Sequence, residues 1–327
     1  MMKAYKAFNK DMKCRDFQYE VGATYEHDGE VIPCESGFHA CENPLDCWQY
    51  YDLTESRFAE VTLNGETSEH EGDTKIAAAK ITIEAELTLP EFIKRGVKWV
   101  IDATKDKDDS GYSAQIGSSG DSAQIGSSGD SARIGSSGDS AQIGSSGHYA
   151  QIGSSGRYAQ IGSSGDYARI GSSGDSAQIG SSGDSAQIGS SGYSAQIGSS
   201  GDSARIGSSG DYARIGSSGR YARIGSSGDY AQIGSSGYSA RIGSSGDSAQ
   251  IGSSGHYAQI NSEGENAVIA SAGFNARVKA SDGAWVSVAE FNDDFKCIGF
   301  ATGCIGKDGL KPNIWYIAKD GKLVEDV

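Results

Sequence analysis

Four side chains near the start of the chain have the chemistry of soft-metal ligands: Cys34, His39, Cys41 and Cys47, in the pattern Cys-x4-His-x-Cys-x5-Cys. Structural zinc sites are usually built from closely paired cysteines such as Cys-x2-Cys, and that pairing is missing, so no metal is assigned. Small, reduced, buried or half-buried cysteines are the expected reading. No Gly-x-Ser-x-Gly elbow, phosphate-binding Gly-x4-Gly-Lys loop or His-Glu-x-x-His helix occurs. The remaining candidates are recurrent. Tyrosine and arginine, residue types enriched in binding hot spots, return at fixed intervals from residue 112 onward.

Those intervals come from an internal repeat, which decides the architecture before any single residue does. Nine residues recur as Ala-[Gln/Arg]-Ile-Gly-Ser-Ser-Gly-x-[Ser/Tyr], with isoleucine in unbroken register from Ile116 to Ile260. Two degenerate units follow, around Ile269 and Val278, as expected of a terminal region in a repeat stack. The alternation in [Ser/Tyr]-Ala-[Gln/Arg]-Ile predicts a short strand with Ala and Ile on one face. Gly-Ser-Ser-Gly, with two residues tolerant of positive φ, then predicts a corner. Two units close one coil, because both arms then turn Ala and Ile inward and each coil pairs with the next roughly 4.8 Å away. About nine coils result, on the order of 45 Å long at that rise. One coil buries too little apolar surface to fold alone, so the ends must be covered.

With 18 residues per coil, successive units face opposite ways and the substitutions sort by parity. Arg133, Arg169, Arg205, Arg223 and Arg241 share one face with Tyr149, Tyr167, Tyr221 and Tyr257, whereas Arg214 is the one array arginine of this position on the other. These nine residues, together with His39, are the candidate binding residues. Cation–π stacking of tyrosine and arginine is compatible with this spacing. Ladders of either residue could also serve only to stabilise the sheet. Asp121, Asp130 and Asp139 stand four residues before isoleucine, whereas calcium-binding nonapeptide rolls carry their aspartate two residues before it, so no calcium ladder is expected.

Charge excludes several functions. The net charge of −15 divides into −10 for residues 1–111, −2 for 112–260 and −3 for 261–327. Nucleic-acid binding needs a positive surface, so direct binding is disfavoured. An acidic DNA mimic would have to rest on the N-terminal block, because the array is nearly neutral. No apolar run approaches 18 residues, and the first residues lack the apolar stretch of a secretory signal, which points to the cytoplasm and away from membranes.

The flanks read as globular. Arg57–Leu63 and Ala79–Leu87 alternate as strands, and Pro90–Ala103 reads as an amphipathic helix with Phe92, Ile93, Val97, Val100 and Ile101 apolar, despite Gly96. That helix is expected to cap the N-terminal end of the solenoid. Residues 279–327 are too few for an independent core, but their aromatics can close the other end. Lys307-Asp308-Gly309 and Lys319-Asp320-Gly321 signal hairpins there.

Tyr5-Lys6-Ala7-Phe8, Gly22-Ala23-Thr24-Tyr25 and Ser36-Gly37-Phe38-His39-Ala40-Cys41-Glu42-Asn43-Pro44 resemble an N-terminal domain of phage and prophage proteins from gut Firmicutes, in which similar nonapeptide arrays often follow. The stretches Gly283–Val286 and Gly309–Tyr316 resemble the C-terminal module of the same proteins, which implies a β-rich and in some cases trimeric tail. The order of the Tyr-Lys-x-Phe, Gly-x-x-Tyr and Gly-Phe-His segments also resembles ADP-ribosyltransferase folds. That likeness implies nicotinamide-nucleotide roles for His39, Tyr5 and Glu60, against the simpler reading of His39 as a hydrogen-bonded structural residue.

The expectation is a mainly β chain: a parallel β-solenoid of nonapeptide repeats (110–278), capped by an acidic α+β head (1–109) and a small β-rich module (279–327). A non-enzymatic, phage-type scaffold that binds a host or phage protein, such as a defence protein, is expected, with no cofactor. A self-assembling virion-associated repeat, a nucleotide-using head and a DNA mimic are the alternatives.

Overall fold

The computed structural model describes residues 2–52, 55–69, 73–103 and 112–326. The expected boundary at 109/110 and the side chain of Ile101 lie outside the described residues.

The head contains β1 (Met2–Asn9), the small hairpin β2 (Lys13–Cys14) and β3 (Phe17–Gln18), β4 (Thr24–Glu26), β5 (Phe38–Cys41), a 3-10 helix (Pro44–Gln49), the long hairpin β6 (Ser56–Glu69) and β7 (Lys75–Leu87), and α1 (Leu89–Ala103). The antiparallel order is β4-β7-β5-β1-β6, and β6 also pairs with β7, so the sheet curls back on itself. The two expected strands form parts of β6 and β7 and bury Phe58, Val61, Leu63, Ile81 and Ile83. Helix α1 opens with half of a capping box: the Thr88 hydroxyl and N–H both donate to the Glu91 carboxylate (2.7 and 2.9 Å). Gly96 has a packing reason, since a Cβ there would lie 2.6 Å from Leu45 Cδ2 of the 3-10 helix.

The repeats form nineteen four-residue strands, β8 (Gln115–Ser118) to β26 (Arg277–Ala280), recurring every nine residues. Each pairs in parallel, without register shift, with the strand 18 residues away; for example, Ile134 opposes Ile116 and Ile152. Two sheets result, one holding β8 and every second strand after it, the other β9 (Gln124–Ser127) and its successors. Each coil takes one strand from each sheet, about ten coils in all, and their isoleucines meet in one continuous core.

The strand lies two residues later than the alternation suggested. It is Gln/Arg-Ile-Gly-Ser, with Ile and Ser inward and Gln/Arg and Gly outward, while the buried Ala belongs to the corner. The glycines also serve differently from expectation. None of those described in the array has positive φ; the second glycine of each unit is required because neighbouring coils touch there. A Cβ on Gly174 would stand 1.8 Å from the carbonyl oxygen of Gly156.

Left-handed backbone falls instead on the residue before Ala in many coils, as at Tyr167 (φ 57°) and Ser203 (φ 58°). Two corner forms follow. In one, the N–H donates one coil back, as Tyr149 does to the Asp130 carbonyl (2.7 Å). In the other it donates one coil forward, as Tyr167 does to Asp184 (2.8 Å), and the freed Asp184 N–H donates to the Asp166 carboxylate (2.9 Å). The aspartates thus lace coil to coil.

At the far end, β27 (Trp285–Phe291) continues the second sheet and β28 (Cys297–Cys304) turns antiparallel onto it, while β29 (Trp315–Lys319) and β30 (Lys322–Glu325) turn antiparallel onto β26. Asp320 and Gly321, both left-handed (φ 53° and 71°), make the expected tight hairpin. Lys307–Gly309 instead bends a longer connection between β28 and β29. Tyr316 and Ile305 are buried against the last rungs of the core.

Helix α1 does not sit on the N-terminal end of the stack. It lies along the side of the second sheet, across β9, β11 (Gln142–Ser145), β13 (Gln160–Ser163) and β15 (Gln178–Ser181). The physical reason is the row of outward glycines, which leaves a furrow down the sheet that apolar side chains can fill.

Candidate interaction surface

The two sheets present the same furrow, floored by glycine and edged by Gln or Arg, but in different states. On the second sheet, α1 and the 3-10 helix occupy it from Gly144 to Gly198, and from Gly216 to Ala270 it is open, bounded by Arg57, Leu89 and Phe300. A Cβ on Gly180 would meet Ile93 Cδ1 at 2.9 Å and Trp48 at 3.0 Å, and one on Gly162 would meet Val97 at 3.1 Å. The flanking amides are also engaged: Gln142 bonds Asn43 and Asp46, and Gln178 Nε2 donates to the Trp48 carbonyl (2.6 Å). Asp46 is buried and its carboxyl is pushed above the usual range by desolvation, opposed by two bonds from Thr74. Arg214, the exception found by parity, forms an ion pair with Asp52 of the head.

On the first sheet the furrow is open from end to end, about 1430 Å³, and Arg133, Arg169, Arg205, Arg223 and Arg241 all line it. Arg205, Arg223 and Arg241 lie directly side by side in register. Among the described residues none of the five is paired with a carboxylate. Neighbouring strands stand roughly 4.8 Å apart, so adjacent guanidinium groups repel by about 1 kcal/mol even at the dielectric of water. The near-neutrality of the array is therefore an average over a segregated surface. Trp315 closes one end of the furrow, with Arg277 over its ring at 4.7 Å and Lys279 at 5.5 Å.

Tyr149, Tyr167, Tyr221 and Tyr257 are exposed at the corners that border this sheet, outside the furrow lining. Their partners are other rings. Tyr149 stacks on Tyr167 (5.5 Å), and Tyr221, Tyr238, Tyr257 and Phe274 form a continuous aromatic file with centroids 5.1–6.2 Å apart. Sequence reasoning missed the glycine floor and the Asp52–Arg214 pair, and placed Trp315 only among the aromatics of the C-terminal cap, an alternative binding surface, not at the end of this furrow. Only the first carried a signal, since glycine inside a strand marks close approach of another backbone or ligand.

His39 lies elsewhere, in a cleft of about 870 Å³ in the head, which it shares with Tyr5, Lys6, Arg15, Cys34 and Lys75. Its Nε2 accepts the Cys34 N–H (2.9 Å), and Lys6 Nζ donates to its carbonyl (2.8 Å). Burial, with Lys6 and Lys75 adding to it, pulls the imidazole pKa below its ordinary value. Glu60 is outside the cleft lining and is held by Lys3 (2.8 Å) and Arg95 (3.6 Å). Cys41 and Cys47 are buried, and the hydrogen bond that the Cys41 thiol, as donor, shares with Cys47, together with burial, pushes the Cys41 thiol far up, away from thiolate chemistry. Among the described residues no three His, Cys, Asp or Glu are grouped to hold a metal.

The lowered His39 value has a sign. The unfolded chain binds the proton more readily, so this contribution to stability is complete above the unfolded pKa, near 6.5, and is lost as pH falls toward the folded value. The denaturation midpoint of the protein is expected to fall between pH 7 and pH 5, and less steeply in His39→Gln. Equal slopes would remove His39 from this role.

Fold and faces together define a two-sheeted β-solenoid with a head docked along one side. Residues 2–95 match a family described as a domain of unknown function (DUF7666), which covers the head up to the middle of α1. No curated protein and no solved structure shows significant similarity to the chain.

Proposed function

We propose that this chain is a non-enzymatic scaffold that binds a partner protein through the arginine-bearing face of its solenoid. One observation carries the reading: of two furrows built from the same repeat, one is filled over its first half by the head, which supplies an acid to its single arginine, and the other is open along its length with five arginines that have no carboxylate partner among the described residues. Unpaired guanidinium groups in a regular row are suited to carboxylates presented by another molecule. The resemblance of the GFHAC stretch and the nonapeptide array supports the finer reading of a phage- or prophage-type protein acting on a host protein in the bacterial cytoplasm.

The test replaces Arg133, Arg169, Arg205, Arg223 and Arg241 by Gln, which already occupies the same position at Gln115, Gln151, Gln187 and Gln259. The fold is therefore expected to be kept. Crosslinking in bacterial extract, read by quantitative mass spectrometry, is expected to recover a partner with the original chain and at least tenfold less with the variant. Equal recovery would overturn the proposal.

A further inference from the structure

We infer that the open furrow is the seat of an amphipathic, acidic α-helix from the partner. This rests on the scaffold reading above and specifies what the scaffold holds.

The filled furrow shows how a helix is read. Leu89, Ile93, Val97 and Val100 of α1 face Gly198, Gly180, Gly162 and Gly144 in turn, each within 2.9–3.2 Å of where a Cβ would stand. One apolar side chain per helical turn thus meets one glycine per coil. The two pitches permit this, since a helix rises about 5.4 Å per turn and a parallel stack about 4.8 Å per strand. A helix running along the solenoid therefore stays in register over four coils.

The open furrow offers the same floor. Nothing stands within 4 Å of a Cβ built on Gly135, Gly153, Gly171, Gly189, Gly207 or Gly225. Its edge differs in carrying Arg where the filled furrow carries mostly Gln. The filled side also shows what arginine takes there, since Arg214 takes Asp52. The fitting occupant has Leu, Ile or Val at every third or fourth position and Asp or Glu beside that stripe, most densely over Arg205, Arg223 and Arg241. Ten coils give room for roughly 30 helical residues at 1.5 Å each. A second copy of this chain does not fit: its described α-helix is already docked and carries Lys94, Arg95 and Lys98.

The probe is a helix-stabilised peptide of about four turns, with Leu on that spacing and Glu on both flanks, titrated into the full chain by fluorescence anisotropy. A twin with Lys in place of Glu is the control. Binding of the Glu peptide is expected, with at least tenfold loss in Arg205→Gln/Arg223→Gln/Arg241→Gln and also in Gly207→Leu/Gly225→Leu, which fills the floor while leaving every arginine. A thermal melt confirms that the leucine variant is folded. Glu-peptide binding that survives the leucines, or equal binding of the Lys twin, would overturn the inference. So would single-stranded DNA or inorganic polyphosphate bound more tightly than the peptide and indifferent to the leucines, since that assigns the row to a polyanion. If the leucine variant still captures the extract partner while the glutamine variant does not, the helix is wrong and the scaffold stands. Capture indifferent to both removes the scaffold itself.

Discussion

Gly210→Ala is expected to cost the protein about 3 kcal/mol or more, whereas Gly207→Ala, three residues earlier, is expected to be neutral or to stabilise it by roughly 0.4–1 kcal/mol. A Cβ on Gly210 would lie 1.8 Å from the carbonyl oxygen of Gly192, and that oxygen belongs to backbone fixed between coils, so no side chain can swing aside. Gly207 points outward from its strand, with nothing within 4 Å, and its φ is outside the left-handed region. Alanine there narrows only the unfolded ensemble. Thermal unfolding of both variants beside the parent reads the difference, and equal shifts would mean that coil contact does not fix the corner.

The second large effect is at the head–solenoid junction. Ile93 is fully buried among Leu45, Trp48, Phe92 and Val97 and presses on Gly180. Ile93→Asp would bury a carboxylate without a partner, a change that typically costs 3–5 kcal/mol or expels the group altogether. The head is expected to leave the sheet. Amide exchange should then accelerate in α1 and the 3-10 helix while the isoleucine core of the solenoid stays protected. Ile93→Val, which removes one methylene, should cost about 1 kcal/mol and leave exchange of those helices nearly as slow as in the parent. Unchanged exchange in Ile93→Asp would place the docking energy elsewhere.

The solenoid was legible in the sequence because its signal is redundant: a strict nine-residue period with inward Ala and Ile leaves few ways to close a coil. The strand's exact span was not, because Ser-Ala-Gln-Ile and Gln-Ile-Gly-Ser both alternate, and periodicity cannot choose between two frames that keep isoleucine inward. What chose was the contact between coils at the second glycine, a long-range constraint absent from any single unit. Helix α1 was recognisable from Pro90 and its apolar spacing, but its place was not, since a stripe of Phe92, Ile93 and Val97 suits an end cap as well as a lateral furrow. The arginine row was found by parity alone. The vacancy beside it, and the filled counterpart that gives it meaning, needed the three-dimensional arrangement of Gly162, Gly180 and Gly198 under the head.

The nonapeptide is half of a coil, and that fraction has a genetic consequence. A replication slip that removes two units shortens the stack and leaves every later residue on its original side. A slip that removes one unit transposes everything downstream: Arg223, Arg241 and Trp315 change sheets together and come to lie on the flank that carries the head. Each transposed strand still meets a neighbour of nearly the same sequence, so the core does not register the event. Copy number in this gene is therefore a two-valued setting, odd or even, that can move a whole row of arginines by half a turn without substituting a single codon.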